Sequence, residues 1–291
     1  MNFAPPRARR GHVIVGAVIA LSALASTAIG AAIAKTIFPV VGATGLAALR
    51  IALAAVLLLA LVKPWRRPVP RAMRWPLFLY GLMLGFMNLL IYEAFARIPI
   101  GIAVAIEVTG PLAIALFGSR RPRDFLWLGC AVLGLALLMP RSGANALDPI
   151  GIAFATASGL CWATYILTGK HISGALRRDA APWGMALSAL VIVPLNVSHA
   201  SPALFTPMVL AIGLVVAVLS SALPAMLELQ ALHRLPASHF GLLASAAPAI
   251  GALSGFAIVG EKLTDKQWLA IGCIVLASAG RALNTQPRAV P

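Results

Sequence analysis

Charge is scarce in this chain. Asp, Glu, Lys and Arg make up 11% of its 291 residues, against 60% apolar residues. A soluble globular domain carries about 25% charged residues, so a water-facing surface of ordinary composition is excluded. Acids are scarcer still, eight in all, and the four aspartates (Asp124, Asp148, Asp179 and Asp265) fall in loops or at segment edges. No paired-aspartate intramembrane protease fits that placement. The three cysteines, Cys130, Cys161 and Cys273, lie within apolar stretches and have no Cys or His at metal-ligand spacing. Neither a disulfide framework nor a thiolate metal site is implied. No H-E-x-x-H and no G-x-S-G occurs, which leaves metallopeptidase and serine-hydrolase chemistry without support. The expectation is a protein that is not an enzyme and holds no metal or cofactor.

What is abundant is long apolar sequence. The mean hydropathy is +0.93. Crossing a bilayer takes about 20 mostly apolar residues, and ten such stretches occur, near 12–34, 43–62, 75–96, 100–118, 124–140, 150–169, 180–197, 207–231, 238–259 and 267–283. In lipid every backbone polar group must be paired within the chain, so the spans are expected to be helices. The first follows a basic N-terminus. Its apolar run exceeds a signal-peptide core, so it reads as an uncleaved first helix. The fold class expected is an all-α integral membrane protein of ten transmembrane helices.

The net charge of +15 is placed asymmetrically. With the N-terminus in the cytoplasm, the inner segments hold seventeen Lys and Arg and the outer segments five. This positive-inside bias puts both termini in the cytoplasm. The basic surplus matches anionic lipid head groups, and nucleic acid is not an expected partner.

The chain also repeats itself. Ile98-Pro99 and Gly110-Pro111 recur as Leu235-Pro236 and Ala247-Pro248, 137 residues on; Arg97 and Gly118 recur as Arg234 and Gly255 at the same offset. Upstream, Gly16, Ala20, Ala28 and Lys35 match Gly151, Ala155, Ala163 and Lys170 at an offset of 135. Gly129-Cys130 matches Gly272-Cys273 at 143. Two units follow, residues 1–141 and 142–291, with five spans each. An odd number of spans makes the second unit enter the membrane in the opposite sense, giving an inverted repeat about an axis in the membrane plane. Pro111 and Pro248 then kink corresponding helices near the centre, a geometry suited to gating and alternating access.

Three of the four glutamates, Glu93, Glu107 and Glu228, lie within spans, and Glu261 sits at the outer end of the ninth. An ionisable group in the membrane is a functional candidate by default. Glu93, four residues before Arg97, suits an interfacial ion pair. Glu228 lies near the inner end of its span, within reach of His233 or Arg234. Glu107 and Arg50 each lie about seven residues inside the outer face, ~10 Å deep at 1.5 Å per residue. They form either a buried structural pair or the receivers of a zwitterion, the guanidinium fork taking its carboxylate and Glu107 its ammonium. Asn88 and Tyr92 on span three, and Trp162 and Tyr165 on span six, complete the candidate substrate-binding set. Glu107 and Glu228 are the candidates for coupling to protons.

These stretches carry a family resemblance. The chain resembles the EamA-type branch of the drug/metabolite transporter superfamily over nearly its whole length, and within it the threonine- and homoserine-exporting members. The matching segments include Gly45–Leu53 (GLAALRIAL), Pro99–Phe117 (PIGIAVAIEVTGPLAIALF), Ser119-Arg120-Arg121-Pro122, Leu219–Pro224 (LSSALP) and Gly260–Thr264 (GEKLT). The resemblance implies ten helices in two EamA repeats in a bacterial inner membrane. It also implies export of small metabolites from the cytoplasm, driven by proton exchange. One departure bears on coupling: where the family often has Glu-Pro in span nine, this chain has Ala247-Pro248. Export of another small metabolite or drug remains open, as does a passive channel or membrane scaffold.

Overall fold

The computed structural model describes residues 6–117, 147–196, 202–262 and 264–284, with six separate positions between 126 and 137. Among the described residues there is no strand. Among them, twelve α-helices of eight residues or more follow in chain order: α1 (Pro6–Thr36), α2 (Ala43–Val62), α3 (Arg71–Arg97), α4 (Ile100–Glu107), α5 (Thr109–Phe117), α6 (Pro149–Leu176), α7 (Ala180–Asn196), α8 (Pro207–Ala217), α9 (Leu223–Arg234), α10 (Ala237–Ala244), α11 (Ala247–Ser254) and α12 (Asp265–Asn284). Five helical stretches are long and apolar enough to cross a membrane: Val13–Thr36, Ala43–Val62, Arg71–Arg97, Pro149–Asn196 and Pro207–Arg234. The fourth is divided into α6 and α7 by a turn at Arg177–Asp179, where Arg177 takes a φ of 46°. Shorter apolar helices cover Ile100–Ile114 and Ala247–Val259. The molecule is thus an all-α, multi-pass membrane protein. The fifth expected span, 124–140, lies outside the described residues apart from those six positions, as does the basic segment of Arg120, Arg121 and Arg123.

Proline sets many of the boundaries. A residue before proline is pushed to extended backbone. Ile98 (φ −133°, ψ 159°) therefore ends α3, and Leu235 (φ −108°, ψ 147°) ends α9. Pro149 and Pro207 begin α6 and α8, where a missing N–H costs nothing.

Two spans are interrupted rather than straight. The helix breaks at Val108, between α4 and α5, and at Ser245–Ala246, between α10 and α11. Pro111 cannot donate to the carbonyl of Glu107, nor Pro248 to that of Ala244, and each ring crowds the carbonyl four residues back. The break therefore falls in the turn before the proline. Moving α4 along by 137 residues gives the bounds of α10. α4 packs on α11 and α5 on α10, so the two broken helices cross antiparallel. Other contacts repeat in the same manner. Gly16 lies against Arg234 and Leu235, while Gly151 lies against Arg97 and Ile98.

Small residues allow the closest approaches. α3 runs along both α6 and α7. Tyr80 is wedged between Gly169 and Gly184 and stacks on Tyr165, with ring centroids 4.7 Å apart. A Cβ at Gly159 would run into the carbonyl of Glu107, and one at Gly110 into that of Gly159. With no hydrophobic drive between helices in lipid, packing of this kind holds the bundle together.

Candidate functional site

A cavity of about 630 Å³ of atom-free space, its mouth included, opens between α1, α2, α3, α4, α6, α9 and α11. Its walls are mainly apolar, with Leu24, Ile91, Phe95, Ile100 and Val104 among them. Into it project Arg50, Asn88, Tyr92, Glu107, Trp162, Ser220 and Glu228. Six of the expected substrate-site and coupling residues thus share one cavity. Tyr165 stands just behind it.

Arg50 is 1% exposed. Its Nη1 donates to the Ser220 carbonyl (3.0 Å) and to Ser221 Oγ (2.6 Å), and its Nη2 donates to Asn88 Oδ1 (2.7 Å). The guanidinium lies over the Tyr92 ring, 4.0 Å from its centroid, a cation–π contact. Asn88 Nδ2 donates to the Leu84 carbonyl (2.7 Å), which fixes the amide with its oxygen toward Arg50. The Ser220 carbonyl is free for a clear reason: Pro224, four residues on, has no N–H to give it. Around it the chain makes a π turn, Val218–Ala222, that presents Ser220 and Ser221 together. Such turns recur at functional sites.

Glu107 does not pair with Arg50; each has partners of its own. Glu107 Oε1 accepts from Ser158 Oγ at 2.5 Å, and the same hydroxyl lies 2.9 Å from the Met87 carbonyl. Ser158 has one proton for two acceptors. When Glu107 is ionised, Ser158 donates to it. When Glu107 is protonated, the acid donates to Ser158 and the hydroxyl turns to Met87. Both states are satisfied. Glu228, 7% exposed, lies beside Tyr165, whose hydroxyl accepts from that of Tyr80 at 3.2 Å. It pairs with neither His233 nor Arg234; Arg234 donates to the Gln230 carbonyl instead. Two buried donors on residues that line the cavity have no acceptor among the described residues: Arg50 Nε and Trp162 Nε1.

The other acids do structural work. Glu93 pairs with Arg97, as their spacing of four suggests. Glu261 takes Lys35 at 2.8 Å and accepts from the backbone N–H of Ile100 at 3.1 Å, so it caps α4. Among the described residues no group of His, Cys, Asp and Glu could hold a metal ion. Neither Pro111 nor Pro248 lines the cavity; they set the breaks that deliver Glu107 and Ala247 to it. Sequence reasoning missed Ser158 and Ser220. A signal existed for each: Ser158 stands one turn from Trp162 on the face that also carries Tyr165, and Ser220 stands four residues before Pro224.

A cavity lined by charged groups among membrane helices points to a class of protein, a membrane transporter. Residues 149–280 match the model of the EamA-like transporter family. The chain is 46% identical to the threonine/homoserine exporter RhtA of Escherichia coli (strain K12) over 283 residues, 97% of this chain and 96% of that protein. It is 45% identical to the exporter of the same name from Salmonella typhimurium (strain LT2) over 281 residues, 96% and 95% of the two chains. The uncharacterized transporter YwfM of Bacillus subtilis is 27% identical over 230 residues, 72% of this chain and 76% of that one. A crystal structure with 19% identity superposes with a TM-score of 0.69, covering 94% of this chain and 97% of the other, and shares the fold. The chain belongs to the EamA-like transporter family.

Proposed function

We propose that this protein exports small zwitterionic amino acids of the threonine and homoserine kind across a bacterial inner membrane, by alternating access and in exchange for protons. The substrate class follows the two exporters to which it is 45–46% identical. The observation that carries the reading is the presence in one cavity of Arg50, whose Nε has no acceptor among the described residues, together with Glu107 and Glu228. The substrate carboxylate goes to Arg50, whose planar fork suits it. The ammonium goes to Glu107.

Charge supplies the coupling. One guanidinium and two carboxylates leave the cavity one negative charge in excess when both acids are ionised, and a zwitterion does not change that. A proton does. Glu107, with Ser158 beside it able to satisfy either state, is where proton and ammonium compete; Glu228 is the second coupling candidate. Competition for one carboxylate makes proton entry and substrate exit alternate.

The repeated bounds of the broken helices, their antiparallel crossing and the matching contacts of Gly16 and Gly151 support two inverted five-helix units, 1–141 and 142–291. Ten spans with both termini in the cytoplasm follow from that arrangement and from the positive-inside bias.

The test is efflux of labelled amino acids from proteoliposomes under an imposed pH gradient. Threonine and homoserine should leave against their gradient, and an uncoupler should stop them. Arg50→Lys keeps the charge but loses the fork and most of the stacking on Tyr92, so efflux should fall at least about tenfold, matching a charged hydrogen bond worth roughly 1.5–3 kcal/mol. Normal efflux in both Arg50→Lys and Glu107→Gln, at normal protein levels, would put the site elsewhere. Flux down a gradient only would indicate a channel.

A further inference from the structure

α6 carries three hydrogen-bonding side chains on one face, Ser158, Trp162 and Tyr165, at spacings of four and three. They meet three different fates. Ser158 holds Glu107. Tyr165 stands beside Glu228. Trp162, between them, is 5% exposed, lines the cavity, and its Nε1–H has no acceptor among the described residues. A buried donor left without a partner costs about 1–3 kcal/mol. Indole N–H is a donor only.

An inventory of the cavity against the backbone of an amino acid leaves a remainder. The carboxylate takes Arg50, and the ammonium takes one carboxylate, Glu107. What remains is one donor, Trp162 Nε1 on α6, and one acceptor, the carboxyl group of Glu228 on α9, both on residues that line the same cavity. A hydroxyl is the group that needs one of each. We propose that Trp162, with Glu228, reads the side-chain hydroxyl of the substrate, so that this exporter selects small hydroxylated amino acids over their methyl or hydrogen analogues. Trp162 Nε1–H donates to the hydroxyl oxygen, and the hydroxyl proton goes to Glu228. A glutamic acid retains an acceptor oxygen, so the contact survives protonation of Glu228. The inference rests on the amino-acid export reading and adds to it the selecting residue. Recognition through an unpaired polar group is sharp: an analogue without the hydroxyl leaves the Trp162 donor buried and unpartnered and Glu228 one contact short, whereas an apolar pocket barely distinguishes a hydroxyl from a methyl.

The experiment is counterflow of labelled threonine into proteoliposomes holding the full-length protein, competed by unlabelled threonine, homoserine, 2-aminobutyrate and valine. In the wild type, 2-aminobutyrate and valine should need at least about tenfold more than threonine or homoserine for half-inhibition. In Trp162→Phe, which keeps an aromatic ring and loses the N–H, that ratio should fall below about threefold, because the hydroxylated competitors weaken while 2-aminobutyrate hardly changes. If Trp162→Phe does not reach the membrane, Trp162→Leu, which also lacks the donor, must show the same collapse. A wild type that treats threonine and 2-aminobutyrate alike overturns the inference. So does a variant that keeps the ratio, or one that weakens all four competitors equally; the last would mean that Trp162 packs or binds the carboxylate. In those cases amino-acid export still stands. If no threonine counterflow occurs in the wild type, the export reading fails, and the inference with it.

Discussion

A guanidinium in a membrane is tolerated only when its environment is built for it. Arg50 has a carbonyl, two side-chain oxygens and an aromatic face. None of those partners is an acid, so the positive charge stays available to a carboxylate that enters the cavity. Removing Asn88 should show this. Asn88→Ala leaves Arg50 Nη2 without its best acceptor, and threonine export should fall several-fold, read as a raised half-saturating concentration at a membrane level close to wild type. Ser158 makes the complementary case for the proton. Ser158→Ala removes the hydroxyl that serves both states of Glu107. Efflux driven by a pH gradient should drop at least about fivefold, the order of one hydrogen bond of ~1 kcal/mol, while threonine exchange without a gradient should stay within about threefold. Equal loss in both assays would assign Ser158 to substrate binding rather than coupling.

Proline and glycine set the geometry at the scale of the helix. Pro224 gives Arg50 an acceptor by withholding an N–H from Ser220. Pro224→Ala lets α9 satisfy that carbonyl itself, and transport should weaken several-fold with thermal stability in detergent held or raised. Gly159 is the hydrogen-only surface that lets α6 touch the break after Glu107. Gly159→Ala forces a Cβ onto the Glu107 carbonyl. Overpacking of this kind costs about 1–3 kcal/mol, so the melting temperature and the membrane level should both fall. Gly174→Ala, on the same helix with open space at its Cβ, should be neutral or slightly stabilising. Beyond α11, after a π-helical segment at Gly255–Val259, Gly260 (φ 74°) turns the chain, and Glu261 comes back over Gly255 to the N-terminus of α4.

For the whole molecule, the contacts of Lys35 with Glu261 and with the Ile98 carbonyl tie the end of α1, the α3–α4 turn and the end of the second broken helix together. Its repeat partner Lys170 also reaches a carbonyl, that of Leu232 at 2.8 Å. Orientation in the bilayer is tested by reporter fusions. Those after residues 70, 121, 175 and 291 should read cytoplasmic, and those after 145 and 201 external. A cytoplasmic N-terminus with an external C-terminus would be incompatible with ten spans.

Much of this was legible along the chain because it depends on local chemistry. Apolar runs determine that helices form in lipid. Ile98-Pro99 and Leu235-Pro236 determine where two of them end. The scarcity of in-span charge singles out Arg50, Glu107 and Glu228, and the spacings 88/92 and 162/165 place their neighbours on shared faces. What the sequence did not contain is which of these groups pair. Equal depth made Arg50 and Glu107 look like partners, yet depth says nothing about position around the bundle axis. The packing of α4 against α6 and the π turn at Val218–Ala222 decided that: Glu107 faces Ser158 on α6, and Arg50 faces Ser220, Ser221 and Asn88 on two other elements. Glu228 likewise faces inward to Tyr165 rather than toward the basic residues at its own helix end. Hydrogen bonds between helices are set by rotation and register, which only the assembled bundle fixes.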